Sequence, residues 1–112
     1  MAMTEVYAAR EPARAEIDAM QGAAVIEFGA PWCGYCMRAQ PHLASAMAGH
    51  PDIRHLKIED GSGKPLGRSF RVRLWPTLVF LRDGVEVARL VRPDDARAIE
   101  AALAQIGGPA AQ

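Results

Sequence analysis

Residues Ala23-Ala24-Val25-Ile26-Glu27-Phe28 make a short, nearly continuous apolar run that Gly29 and Pro31 bring to an end. A run of that kind reads as a strand buried on both faces, and such a strand sits centrally in a sheet with parallel pairing and helices above and below. The rest of the chain permits this. Its 112 residues are 50% hydrophobic and 23% charged, enough for one core without disulfide staples. The charges balance at 13 Lys+Arg against 13 Asp+Glu. With no basic excess and no basic stretch interleaved with aromatics, nucleic acid is not an expected partner. Apolar runs such as Leu78 to Leu81 fall far short of the roughly 20 residues a membrane helix needs, so no membrane contact is expected either. Met1 to Tyr7 lacks a basic stretch followed by an apolar one, and the expected location is the cytoplasm.

Around the central run, strand and helix patterns alternate. Thr4 to Ala8 could add a short edge strand, and Pro12 to Gly22 predicts a first helix with Ile17 and Met20 as its apolar edge. Cys33 to Met47 predicts a second helix, kinked at Pro41 and stopped at Gly49-His50-Pro51. Ile53 to Ile58 reads as a strand, Asp60 to Gly63 as a turn, and Pro65 to Phe70 as a short helix. Thr77 to Leu81 is another buried strand, joined by an Asp83-Gly84 hairpin to Val85 to Leu90. Asp94 is positioned to cap a last helix whose Ile99, Leu103 and Ile106 share a stripe, and Gly107-Gly108-Pro109 ends it. The expectation is a single α/β domain over residues 1–112, with its core at about 5–106 and a frayed tail at 107–112. A mixed sheet of four to five strands is flanked by about four helices. Met37, Met47 and Phe70 read as core.

The cysteines are Cys33 and Cys36 alone, with two residues between them. That is too few for a disulfide scaffold. At the first turn of a helix, backbone amides and the helix dipole stabilise a thiolate on the first cysteine, which makes Cys33 a nucleophile. Cys36, one turn on, is placed to attack the mixed disulfide and resolve it. Zinc knuckles share this spacing but need two more ligands, and His42, His50 and His55 are not paired at ligand spacing, so no metal is expected. None of the three histidines is assigned a catalytic role. A carboxylate in an apolar strand is costly unless it serves something, which singles out Glu27; the alternative is that it points to solvent from an edge strand.

Ala30-Pro31-Trp32-Cys33-Gly34-Tyr35-Cys36 after a buried strand, with Trp75-Pro76-Thr77 before another, resembles the thioredoxin family over about Glu5 to Ile106. The resemblance implies the thioredoxin fold and thiol-disulfide oxidoreductase activity, mainly reduction of protein disulfides through Cys33 and Cys36. It also implies a cis bond at Pro76, a buried Glu27 exchanging a proton with Cys36, and a substrate groove around Trp32, Gly34, Tyr35, Trp75, Pro76, Thr77 and Arg92. Glutamate at position 27 is similar to protein disulfide isomerase domains, where thioredoxins carry aspartate. Trp75 replaces a smaller residue, and Leu74 and Arg92 stand where thioredoxins have glycine, which bears on substrate choice. A disulfide isomerase or oxidant is the second reading, and a partner-binding scaffold gripped through Trp75 and the Arg68, Arg71 and Arg73 cluster is the third. That cluster otherwise reads as a solvated face.

Beyond the Cys33-Cys36 couple no cofactor is expected, since no NADPH or flavin site is recognisable. Electrons would then come from a partner, implied to be a thioredoxin reductase, and the chain is expected to be a monomer. Tyr35 in place of the rigid proline of thioredoxins should favour the reduced form. Titration against glutathione buffers is expected to place the midpoint above the roughly −270 mV of thioredoxin and below the roughly −120 mV of the most oxidising relative. A midpoint at or below thioredoxin's contradicts that reading of Tyr35.

Overall fold

The computed structural model describes residues 3–107. The elements run α1 (Arg14–Asp18), β1 (Ala23–Gly29), α2 (Gly34–Met47), β2 (Arg54–Glu59), α3 (Pro65–Ser69), β3 (Thr77–Arg82), β4 (Val85–Val91) and α4 (Ala96–Ile106). The sheet order is β2-β1-β3-β4, with β1 parallel to β2 and antiparallel to β3. This is the α/β thioredoxin fold.

Period-two alternation divides β1 between two cores. Val25 packs with Leu43 and Met47 of α2, Leu78 and Phe80 of β3, and Ile99, Leu103 and Ile106 of α4. Ala24, Ile26 and Phe28 face the other way, onto Ile17 of α1, Leu66 of α3 and Phe70. Each large aliphatic or aromatic side chain buried in this way contributes about 1.5–3 kcal/mol, so the strand is pinned in register from both sides. Among the described residues no helix is long and apolar enough to cross a membrane.

Three elements and one core residue differ from expectation. Thr4 to Ala8 is not a strand: it lies along β2 with one sheet-like bond, from the Ala8 N–H to the Lys57 carbonyl at 2.8 Å. The first helix is confined to Arg14–Asp18, because Ala13 has extended backbone and only Ile17 of that turn is buried to hold it. Asp95, not Asp94, caps α4, its Oδ1 accepting from the Arg97 N–H at 2.6 Å. Met37 is 60% exposed, on the outer face of α2, while Met47 and Phe70 are buried. The expected tail beyond Gly107 lies outside the described residues.

The hairpin between β3 and β4 has φ of 52° at Asp83 and 79° at Gly84, the paired left-handed conformations of a two-residue turn. Asp83 also bonds Gly22 twice, accepting its N–H at Oδ1 (2.7 Å) and donating to its carbonyl (2.9 Å). A Cβ at Gly84 would run into the backbone of Asp18, whereas one at Gly63, with φ of 77°, meets nothing within 4 Å. Gly63→Ala should therefore cost about 1 kcal/mol of strain. Gly84→Ala should cost about 2–4 kcal/mol, since overpacking against backbone adds to the strain. Urea unfolding of the two variants checks the difference, and equal costs would mean that the Asp18 backbone yields freely.

Candidate active site

β1 ends at Gly29, and the chain turns through Ala30, Pro31 and Trp32 into α2. Cys33 is the N-cap of α2: its backbone is extended, and its sulfur accepts the Cys36 N–H at 3.1 Å. A sulfur thus does the work usually done by a serine or aspartate oxygen, and one otherwise unpaired amide of the first turn points at the candidate nucleophile. Gly34 opens the helix with free space where a side chain would stand. Both cysteines are free and buried. Gly29 is what lets Cys36 pack so closely, since a Cβ there would lie 2.6 Å from Cys36 Sγ and 3.1 Å from the Tyr7 hydroxyl.

The two thiols differ in environment. Burial, first of all, pushes the Cys36 thiol up to about 12; its hydrogen bond with Cys33 and the charges of Cys33 and Glu27 push the same way, against an opposing bond from the Ala30 backbone. The Tyr7 hydroxyl is likewise raised, chiefly by burial and then by the charges of Cys36 and Glu27. Cys33 is therefore the thiol that carries an aimed donor, and Cys36 the one that holds its proton.

Glu27 is fully buried, 0% exposed, on a strand paired on both edges; it does not reach solvent. Three polar side chains meet its carboxylate. His55 Nε2 lies 2.9 Å from Oε1, Gln40 Nε2 donates to Oε2 at 2.7 Å, and Lys57 Nζ is 3.9 Å from Oε2. The Gln40 amide nitrogen also donates to the Cys36 carbonyl at 2.9 Å, so one side chain ties the carboxylate to the helix turn that carries the second thiol.

Of the residues expected to form the groove, Trp75 lies directly against Cys33. The Trp75-Pro76 peptide is cis, and the Trp75 carbonyl oxygen is 4.0 Å from Cys33 Sγ. Trp32 is 73% exposed and meets the half-buried Trp75 edge to face, ring centroids 5.3 Å apart. Trp75 is fixed by its indole N–H, which donates to Asp60 at 2.9 Å. Leu74 is exposed. Thr77 is buried rather than in the groove, its hydroxyl donating to the Leu74 carbonyl at 2.6 Å and closing the loop. Arg92 has φ of 52°, a conformation that favours glycine. Its Nε donates to the Trp75 carbonyl at 2.8 Å and its guanidinium lies 3.8 Å over the Tyr35 ring, which Arg38 also approaches, at 4.6 Å. Arg68, Arg71 and Arg73 line a separate cleft with Asp60, on the other side of Trp75.

His55, Lys57, Gln40 and Tyr7 were not singled out by sequence reasoning. The signal for two of them was present: Leu56 and Ile58 alternate, and the parallel register sets His55 beside Val25 and Lys57 beside Glu27. His42 lines the cleft beside Tyr35, and His50 pairs with Glu100 at 3.5 Å. Among the described residues no cluster of three or more His, Cys, Asp or Glu could hold a metal ion.

Comparison with known proteins agrees with this geometry. A reduced thioredoxin 2 of Pseudomonas aeruginosa PAO1 is similar at a TM-score of 0.83 and 53% identity, over 93% of this chain and 96% of that one. Mitochondrial thioredoxin-3 of Saccharomyces cerevisiae is 33% identical over 67 residues, 60% of this chain and 53% of its own length. A protein disulfide-isomerase of Datisca glomerata is 35% identical over 92 residues, 76% of this chain but 18% of that protein. The matches span about half the length of the curated thioredoxins. Residues 6–105 match the family model described as Thioredoxin, and the chain belongs to the thioredoxin family.

Proposed function

We propose that the protein reduces protein disulfides by dithiol exchange. Cys33 as thiolate attacks one sulfur of the substrate disulfide, forming a Cys33-substrate bond and releasing the other sulfur as a thiolate. Cys36 then passes its proton to Glu27 and attacks Cys33 Sγ. The Cys33-Cys36 bond closes, the second substrate sulfur leaves as a thiolate, and two electrons have moved from the cysteine pair to the substrate. The observation that carries this reading is the asymmetry of the pair: the Cys36 amide donates to the Cys33 sulfur, while burial keeps Cys36 protonated.

Regeneration requires an electron donor, and a thioredoxin reductase fits the family. A reducing compartment, which for this chain we take to be the cytoplasm, is where such an activity is useful. Substrate choice falls to Arg92. The Trp75 carbonyl lies beside the sulfur to which any substrate becomes bonded, so an extended peptide held there would add to this loop as a strand, and Arg92 occupies the acceptor it would use.

Cys33→Ser is expected to abolish reduction of insulin disulfides, and Cys36→Ser to accumulate a mixed disulfide visible on non-reducing gels. In Cys33→Ser, alkylation of Cys36 should stay slow at neutral pH and accelerate only in alkali, because burial, the largest cause of its raised pKa, and the charge of Glu27 both remain. Rapid neutral alkylation of Cys36 would contradict its role as the protonated partner. Arg92→Gly frees the Trp75 carbonyl, and kcat/KM for an uncharged peptide disulfide should rise about fivefold, the worth of one backbone hydrogen bond at about 1 kcal/mol. A fall would mean that Arg92 grips substrate instead of blocking it.

A further inference from the structure

His55 is a buried, fully engaged side chain that the exchange steps above do not use. Its side chain has no exposed surface, and each ring nitrogen has one partner. Nδ1 accepts the Thr4 backbone N–H at 2.9 Å, and Nε2 lies 2.9 Å from Glu27 Oε1. An amide only donates, so Nδ1 is the bare nitrogen; the ring proton therefore sits on Nε2 and points at the carboxylate. The same logic orients Gln40. Lys57 only donates, to Gln40 Oε1 at 3.1 Å, which turns the Gln40 amide nitrogen toward Glu27.

We propose that His55 is a positioning residue for proton transfer from Cys36, donating to Glu27 Oε1 and so aiming the second oxygen toward α2. The proposal rests on the reading of Glu27 as the proton acceptor of Cys36. It brings the amino-terminal segment into the site at one remove, because the Thr4 amide sets the tautomer that supplies Glu27 with a donor. Since Nδ1 is closed by a backbone amide, the proton does not leave through the ring. Its way out is the surface cleft of about 470 Å³ that reaches Cys36, Gln40, Lys57 and Tyr7. The titratable groups around Glu27 are His55 and Lys57 from β2, Cys33 and Cys36 from the start of α2, and Tyr7 from the amino-terminal segment. Its β3 neighbour is Leu78, which carries no charge.

The test mixes the reduced full chain with dithiobis-nitrobenzoate in a stopped flow. The first burst of coloured thiol reports attack by Cys33, and the second reports closure by Cys36. His55→Asn keeps an oxygen for the Thr4 amide but places nothing at the Nε2 position, whereas His55→Gln keeps a donor there. On the acid side of its pH profile the second burst should slow about tenfold in His55→Asn, with the profile moved up by about one unit, the effect of losing a hydrogen bond to a charged group. In His55→Gln it should stay within about threefold of the parent, and the first burst should change less than about twofold in both. An unchanged second burst in His55→Asn overturns the proposal, as does equal slowing in both variants in step with their thermal stability. Should His55→Asn not fold, imidazole nitrogen NMR of the parent decides: a proton on Nε2 supports the proposal and one on Nδ1 overturns it. A second burst that slows in Glu27→Gln but not in His55→Asn overturns the role of His55 alone. One that is indifferent to Glu27→Gln overturns the acceptor reading beneath it.

Discussion

A carboxylate at the centre of a strand covered on both faces has no exposed surface of its own, and the protein has to satisfy it from within. Burying an unpaired charge costs several kcal/mol, so the neighbours of Glu27 are constrained as strongly as Glu27 itself. β2 must present polar side chains at the two positions that face it, and does so with His55 and Lys57. Gln40 must lie on the inner face of α2, one turn beyond Cys36. Through Gln40 the demand of the buried carboxylate becomes a demand on where α2 begins, and α2 begins at Cys33, the proposed nucleophile.

The thiols follow from that placement. In the first turn of a helix the leading residue can meet amides that have no partner, while the residue three along faces the core. Cys33 and Cys36 take those two places, so a single helical turn produces one sulfur that accepts a backbone donor of that turn and a second that is more deeply buried. The pair needs no charged group beside Cys33 for this difference; helix geometry and the close packing allowed by Gly29 suffice.

Much of this was legible in the chain. The apolar run at β1, the glycine and proline after it, the cysteine spacing and the Asp83-Gly84 turn are local signals, each with a local physical cause, and the fold they imply is the one observed. What escaped was nonlocal. Thr4 to Ala8 has too little sequence to decide a strand, and its fate rests on one contact with Lys57 and one with His55. His55 lies 28 residues from Glu27, and no spacing within β2 reveals that its partner is acidic. Asp94 and Asp95 are chemically equal candidates for a cap; only the backbone path into α4 separates them. Met37 shows the reverse error, an apolar residue placed in the core by type although the helix turns it to solvent.

Arg92 joins the local and nonlocal sides of the problem. A left-handed backbone at this position suits glycine, and an arginine there carries about 1–2 kcal/mol of strain that must be offset elsewhere. The offset is visible in the Arg92 N–H to the Pro76 carbonyl at 2.9 Å, the guanidinium bond to the Trp75 carbonyl, and the stack on Tyr35. Tyr35 in turn lies under two guanidinium groups, Arg92 at 3.8 Å and Arg38 at 4.6 Å, and a glycine at position 92 would leave it only the more distant one. The two departures from the thioredoxin pattern, at 35 and at 92, therefore compensate one another and act as a unit. Each shapes the surface around Cys33, while Glu27 and Cys36 lie buried beneath, out of contact with either side chain's stack.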